Sequence, residues 1–282
     1  MLLDRHAGTT ESGDRLSGLL ATWPPNVPIE TRGYRPADLE ATRPKAVCDL
    51  GAGRLVVAAG HGSGPVTALP CVARGTRLDL AVAGDGVAAA LLARSGAHSE
   101  PLPSGFTLTR HDQRSLTAGA ERGLGTDQSN ISVIVGDEVI VKWRSAPDAN
   151  GGRSNRLRRH AQANGFSRTP ALLASLTWRD GAGRTWILAD VDALLPGAQD
   201  GWDHAIASLR SALETSAAMD AAYADSVGQL TAALHAALLR PSEIIAHPTR
   251  EATPGEMAAI RDGGFSLLQR TLAIEADDQD VV

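Results

Sequence analysis

Lysine is scarce in this sequence of 282 residues: Lys45 and Lys142 stand among 27 basic side chains, and arginine supplies all the others. A lysine ammonium is a compact point charge on a flexible stem, and a guanidinium does not replace it chemically. Each lysine is therefore a candidate for specific chemistry, beside the ordinary interpretation of a solvated surface charge.

Other features are also rare or missing. Two cysteines, Cys48 and Cys71, are too few for a disulfide scaffold. No apolar run is long enough to cross a membrane, and the first residues lack the apolar core of a signal peptide. A formal net charge of -5 argues against nucleic acid as a partner. We therefore expect a cytoplasmic protein that binds neither nucleic acid nor membranes; its oligomeric state stays open.

Familiar catalytic motifs are absent as well. The eight histidines show no metal-ligand spacing, and the chain has no HExxH, CxxC or GxSxG sequence. We therefore predict no metal site. The glycine-rich VCDLGAG at residues 47–53 could be the turn of a methyltransferase or dinucleotide fold, but that turn must lead into a helix. Because the strand-like RLVVAAG follows instead, a hairpin is favoured.

The order of elements predicts an α+β fold. Residues 1–45 lack a regular pattern, residues 46–97 alternate as a small sheet with one helix, and SEPLPSGFTLT is typical of a connector. The runs ISVIV and EVIVKW, with Gly136 and Asp137 between them, predict a hairpin. A helix ending at Gly165, two further strands and, after Trp202, only helices complete the order.

A polar, glycine-containing turn at residues 123–130 precedes this hairpin, and Lys142 lies in its second strand. Because Val141 and Trp143 flank the lysine, its side chain is expected on the opposite face of the strand. A flexible turn over phosphates and a lysine from a nearby strand are how kinases hold ATP. An ordinary hairpin with a solvated lysine remains the alternative.

Four stretches resemble one family in the same order along the chain: TDQSNISVIVGDEVIVKWR, NGFSRTPALLASLTW, WILADVDALLPGAQDGWDHA and VGQLTAALHAALLR. They are similar to the capped sugar kinases of actinobacteria, the glucosamine kinases and maltokinases related to aminoglycoside phosphotransferases. The resemblance implies an N-terminal cap domain over residues 1–112, a protein-kinase-like N-lobe over 113–193, and the first helices of an α-helical C-lobe over 194–282.

The resemblance also implies ATP and Mg2+ as cofactors and a sugar as substrate, with glucosamine ahead of maltose. It assigns eight residues to the nucleotide. Four lie in the loop over the phosphates, Lys142 binds α- and β-phosphate oxygens, and three fall at the hinge that binds adenine. The loop residues are Gln128, Ser129, Asn130 and Ser132, and the hinge residues are Asp192, Ala193 and Leu194. Trp202 is expected to pack in a core.

Two departures from the family pattern leave the activity open. Kinases pair the strand lysine with a helix glutamate, yet between Lys142 and Phe166 the only acid is Asp148, in a loop-like stretch. The His-Gly-Asp catalytic loop and the acidic metal-binding motif of the family also do not occur, so no catalytic residue is assigned. A truncated kinase or pseudokinase that binds nucleotide or a partner, and a cap-only adaptor, are the alternatives to a working sugar kinase.

Overall fold

The computed structural model describes residues 7–27, 39–95, 99–124, 131–147, 152–215 and 221–279. Its N-terminal part is an antiparallel sheet of four strands in the order β1-β2-β3-β4, with two helices. The elements are α1 (Ala7–Leu20), β1 (Arg43–Gly51), β2 (Arg54–Gly60), β3 (Val66–Arg74), β4 (Arg77–Leu80) and α2 (Val87–Ala93). The small sheet and helix predicted for residues 46–97 are thereby confirmed.

Helix α1 lies where the sequence predicted no regular structure. Its sequence contains few strong helix signals, but Leu16, Leu19 and Leu20 pack against one face of the first sheet. Most helices in proteins derive their stability from such packing and not from local propensity, so the local pattern alone could not identify it.

The first hairpin, β1–β2, turns through Gly51, Ala52 and Gly53, which have φ values of 90°, 51° and 74°. Three successive residues in the left-handed region favour glycine, and two of the three are glycine. A strand follows the turn, so the hairpin interpretation of VCDLGAG is confirmed. Both cysteines lie buried and unbonded in this part, and burial raises the pKa of the Cys48 thiol to about 11.

A second antiparallel sheet of seven strands follows, in the order β5-β6-β10-β11-β9-β8-β7. The strands are β5 (Glu100–Leu102), β6 (Phe106–Arg110), β7 (Glu121–Gly123), β8 (Ile131–Val135), β9 (Val139–Trp143), β10 (Leu172–Arg179) and β11 (Thr185–Ala193). The predicted β8–β9 hairpin is confirmed, with positive φ at Gly136 and Asp137. The stretch expected as a connector forms β5 and β6, which pair with each other and, through β6, with β10.

The two sheets pack face to face. One face of the first sheet contributes Val56 and Ala68 to the same core as Val141 and Trp143 of the second sheet. The opposite face of the first sheet packs on α1. Because β2 is thus buried on both faces, its sequence is a continuous apolar run and not an alternation. The predicted cap and N-lobe share this core, and the three-part division of the chain stays a prediction.

Glu121, the first residue of β7, joins the two parts. Its carboxylate accepts hydrogen bonds from the backbone N–H groups of Gly84, Gly86 and Ala89, at 3.0, 2.8 and 2.8 Å. Gly86 is the N-cap of α2 and Ala89 lies in its first turn, so the carboxylate satisfies N–H donors that the helix cannot satisfy itself, while Gly84 lies just before the helix. The first sheet's helix therefore holds the strand that leads into residues 125–130.

The remaining helices are α3 (Arg153–Ala163), between β9 and β10, and then α4 (Gly201–Thr215), α5 (Ala221–Leu239) and α6 (Pro254–Gln279). Helix α3 lies on the face of the second sheet opposite the shared core. Helix α5 packs on α3 through Phe166, Ala161 and Ala237. The expectation that Trp202 packs in a core is wrong, since the residue is 73% exposed at the start of α4.

The buried His160 ties α3 to the end of α5. Its imidazole is hydrogen-bonded through Nδ1 to Ser242 Oγ at 2.6 Å and through Nε2 to the Leu238 carbonyl at 3.1 Å. Asn164 adds donations to the carbonyls of Ala237 and Arg240. Helix α3 is therefore held by the sheet on one side and by α5 on the other.

Two glycines bracket α3, and both have positive φ: Gly152 at 80° and Gly165 at 85°. A Cβ at Gly152 would overlap Ile187 Cδ1, whereas a Cβ at Gly165 meets nothing within 4 Å. We expect Gly165→Ala to lower the free energy of unfolding by about 1 kcal/mol, the cost of the left-handed backbone alone. Gly152→Ala should lower it by about 3 kcal/mol, because the overlap with the buried Ile187 adds to the same backbone cost.

Urea unfolding of both variants beside the wild type measures the difference. Equal losses of stability in the two variants would contradict the close approach of Gly152 to Ile187.

Candidate functional site

Lys142 lies in β9, between two fully buried neighbours that point into the shared core. Val141 and Trp143 are 0% and 1% exposed, while the lysine side chain is 36% exposed on the opposite face. The predicted alternation along VIVKW is thus confirmed. In the register of the sheet, Lys142 faces Ser132 of β8 on one side and Asp190 of β11 on the other.

The ammonium of Lys142 contacts a carboxylate of the neighbouring strand. Lys142 Nζ lies 3.3 Å from Asp192 Oδ2, and Arg158 of α3 donates from Nη2 to Asp192 Oδ1 at 2.6 Å. Asp192 itself is 2% exposed. Helix α3 contains no carboxylate that could pair with Lys142, and β11 supplies one instead. The helix contributes a second cation, Arg158, to the same carboxylate.

A second buried carboxylate, Asp190, lies two residues earlier on the same face. Arg144 donates to Asp190 Oδ2 from Nε at 3.0 Å and also from Nη2. Asn155 of α3 donates from Nδ2 to Asp190 Oδ1 at 2.5 Å. A buried charge left without a partner destabilises a protein by about 3–5 kcal/mol, so these contacts hold α3 against the sheet.

Sequence reasoning did not identify Asp190, Arg144, Asn155 or Arg158. One signal was available: the strand WILADVDAL carries two acids at alternating positions in an otherwise apolar run. Two acids on one face of a buried strand require partners. The partners themselves depend on strand register and helix packing, which the local sequence does not reveal.

The polar contacts continue to His111, which follows β6. The Ser175 hydroxyl lies 3.0 Å from Asn155 Nδ2 and 3.0 Å from His111 Nε2. Burial is the main cause that lowers the pKa of His111 to about 4, with Arg159 and Arg158 acting in the same direction and Asp190 against it. The imidazole is therefore neutral near pH 7.

The residues predicted for the hinge lie at and just after the end of β11. The Ala193 N–H donates to the Ala171 carbonyl and the Leu194 N–H to the Glu138 carbonyl, each at 2.9 Å. Both N–H groups thus have partners within the protein. Contact of the segment 192–194 with adenine stays a prediction.

Of the eight predicted site residues, the structure brings Ser132, Lys142 and Asp192 to one face of the sheet, with Ala193 and Leu194 next to them. The predicted loop residues Gln128, Ser129 and Asn130 lie outside the described residues. Ser132 belongs to β8 and not to the loop before it. Contact of these eight residues with a nucleotide stays a prediction.

Within the part of the chain that the structure describes, no three histidine, cysteine or acidic side chains converge as a metal site. None of the described helices is long and apolar enough to span a membrane.

No protein-family model matches this chain. A glucosamine kinase of Streptacidiphilus jiangxiensis is 39% identical over 163 residues, which is 55% of this chain and 36% of that protein. A glucosamine kinase of Mycolicibacterium smegmatis is 36% identical over 197 residues, 67% of this chain and 47% of that protein. The chain thus spans less than half the length of these relatives.

Solved structures agree with the sequence comparison. A glucosamine kinase in complex with glucosamine, ADP and inorganic phosphate superimposes with a TM-score of 0.51 at 31% identity, covering 79% of this chain and 51% of that one. A second crystal form of a glucosamine kinase gives 0.56 at the same identity and coverage. The chain is similar in sequence and in fold to glucosamine kinases. The mixed helix and sheet architecture expected from the resemblance is thereby supported.

The half-buried imidazole of His111 predicts a pH dependence of stability. Its folded-state pKa of about 4 lies below the ordinary value of 6.5. Between these two pH values the unfolded chain binds a proton that the folded chain does not, so the free energy of unfolding falls as the pH is lowered. We expect His111→Gln to show a shallower fall than the wild type between about pH 7 and about pH 4.5.

Urea unfolding at several pH values measures this slope. His247→Gln, at an exposed histidine, is the matched control and should retain the wild-type slope. If His111→Gln and the wild type lose stability in parallel, the titration of His111 is not coupled to folding.

Proposed function

We propose that this chain binds ATP on the face of the second sheet around Lys142, and that it acts as a sugar kinase whose acceptor is glucosamine. The observation that carries the proposal is the position of Lys142. This lysine lies in the second strand of a β-hairpin, and its side chain is 36% exposed. Its Nζ lies 3.3 Å from the buried carboxylate oxygen Asp192 Oδ2. An ion pair between a strand lysine and a carboxylate is the arrangement with which kinases hold the α- and β-phosphates.

The chemistry of the site suits a polyphosphate. The ammonium is a point charge with three donors, and it can bind phosphate oxygens while it stays close to Asp192. Ser132, directly across from Lys142 in the register of β8 and β9, is the second residue of β8 and so lies close to the turn that would cover the phosphates. In this proposal Gln128, Ser129 and Asn130 belong to that turn, and the carbonyl groups near Ala193 and Leu194 face the adenine.

Mg2+ is part of the proposal only as a companion of ATP. Magnesium is usually held by one or two carboxylates together with substrate phosphates and waters. The described residues offer no cluster of ligands for it, so we assign no side chain of this chain to the ion and derive no step from it. We also assign no residue as the base that accepts the sugar proton.

Glucosamine is favoured over maltose because both curated relatives and the superimposed structures are glucosamine kinases. One of those structures contains glucosamine, ADP and inorganic phosphate. A cytoplasmic location, where ATP is available, belongs to the same proposal.

The two lysines provide a matched test of nucleotide binding. Lys142→Ala removes the charge that would bind the phosphates, whereas Lys45→Ala removes an exposed charge in β1 of the first sheet. We expect Lys142→Ala to weaken binding of MgATP at least about tenfold, because a charge-assisted hydrogen bond contributes about 1.5–3 kcal/mol. Isothermal titration calorimetry measures the affinities.

Lys45→Ala should bind MgATP as the wild type does. Equal affinity of the wild type and Lys142→Ala would overturn the assignment of Lys142.

The sugar part of the proposal is tested by release of ADP. With MgATP present, glucosamine at millimolar concentration should increase ADP release by the protein, and maltose should increase it less. Binding of MgATP with no sugar-dependent release from either would favour the alternative, a nucleotide-binding protein without catalysis. Loss of release in Lys142→Ala would exclude a contaminating kinase as its source.

A further inference from the structure

We infer that Asp192 is the positioning residue of Lys142, an inference that rests on the proposed binding of ATP by this lysine. Kinases take the carboxylate that orients the strand lysine from a helix. Here the carboxylate belongs to the adjacent strand of the same sheet, at 3.3 Å from the ammonium. Asp192 thus acts through its side chain, in addition to the backbone contact with adenine that its place near the hinge suggests.

Two buried acids of β11 lie within reach of Lys142, and the contacts distinguish them. Asp190 is the direct register partner of Lys142. Both of its oxygens are engaged elsewhere: Oδ2 accepts from Arg144 and Oδ1 from Asn155. Asp192 pairs in register with Ile140, yet it reaches Lys142 diagonally with Oδ2, while Oδ1 accepts from Arg158. The ammonium therefore pairs with Asp192.

Helix α3 has a charge opposite to that of the usual kinase helix. Its sequence RSNRLRRHAQA contains no carboxylate, and it presents Arg158 to the sheet. In the usual arrangement the lysine is oriented only when the helix brings its glutamate into place. In this chain the hydrogen-bonded register of β9 and β11 sets the distance between lysine and carboxylate. The carboxylate that pairs with Lys142 is thus supplied by the sheet and not by α3.

Arg158 nevertheless affects the lysine, because the two cations share one carboxylate. Asp192 accepts from Arg158 at 2.6 Å and contacts Lys142 at 3.3 Å. The contact set of Asp190 and Asp192 contains three cations, Arg144, Lys142 and Arg158, and so has one positive charge in excess. A single carboxylate neutralises Lys142 only in part, which leaves attraction for an anionic phosphate.

The reactivity of the lysine amine reports on this pairing. In the absence of nucleotide, the protein is treated with an acetylating N-hydroxysuccinimide ester, and the initial acetylation rates of Lys142 and Lys45 are determined by peptide mass spectrometry. Lys142 is 36% exposed and within reach of the reagent. Lys45 lies in β1 of the first sheet and is the internal reference. Their ratio cancels differences in reagent and protein concentration.

Replacement of Asp192 and replacement of its other partner, Arg158, should change this ratio in opposite directions. Asp192→Asn removes the ion pair that holds the Lys142 amine at 3.3 Å, so acetylation of Lys142 should rise about fivefold relative to Lys45. Arg158→Gln leaves the carboxylate to Lys142 alone, which strengthens their ion pair, so the ratio should fall about twofold. A merely structural role of Asp192 would loosen the packing in both variants and raise both ratios.

The inference is overturned if Asp192→Asn leaves the ratio unchanged, or if both variants change it in the same direction. Asp192→Glu preserves the charge and should remain within about twofold of the wild type. If Asp192→Asn does not fold, Arg158→Gln decides alone, since a fall of the ratio supports the pairing and a rise contradicts it.

A second stage adds MgATP and separates this inference from the proposed function. MgATP should protect Lys142, but not Lys45, from acetylation in the wild type. The MgATP concentration for half protection should rise at least about fivefold in Asp192→Asn and change by less than about twofold in Arg158→Gln. Absence of protection in the wild type would refute the proposed function and leave the result of the first stage standing. Equal half-protection in Asp192→Asn and the wild type would refute the positioning role.

Discussion

The buried carboxylates of Asp190 and Asp192 impose the arrangement of the site. Both lie on one face of β11 and are 2% exposed. An isolated buried charge is too costly to be retained, so each requires cationic or hydrogen-bonding partners. Arg144 and Asn155 satisfy the first, Lys142 and Arg158 the second. Lys142 belongs to β9, Arg144 directly follows it, and the other two partners belong to α3. The need to pair the two buried carboxylates therefore both orients the lysine and holds the helix on the sheet.

The first sheet closes the opposite face of the second sheet and thereby directs the polar groups. Val141 and Trp143 pack in the core shared with β3, and the Ala68 N–H donates to the Arg144 carbonyl. With one face committed to that core, the alternate positions of β9 and β11 are directed to the α3 side. Glu121 then connects the first sheet's helix to the strand before residues 125–130. The N-terminal part thus supports both the lysine and the approach to the turn.

The features that the sequence predicts are those that depend on neighbours along the chain. The hairpin around Gly136 and Asp137 and the face of Lys142 follow from turn residues and alternation. The partner of Lys142 does not, because it depends on the register of β11 against β9 and on which cation occupies Asp190. Helix α1 was missed since its stability comes from packing. The packing expected for Trp202 was wrong because the size of a side chain does not decide its burial.

The choice of lysine at position 142 favours the proposed binding of ATP over the interpretation as a solvated hairpin charge. All but two of the 27 basic side chains are arginine, and the other cations of the cluster, Arg144 and Arg158, follow that pattern. A guanidinium suits a fixed set of donations to one carboxylate, as Arg144 shows with the two N–H groups that it directs at Asp190 Oδ2. An ammonium offers three rotatable donors on a flexible stem, so it can contact Asp192 and a second anion together. A residue that only covered apolar surface would have no need of that difference.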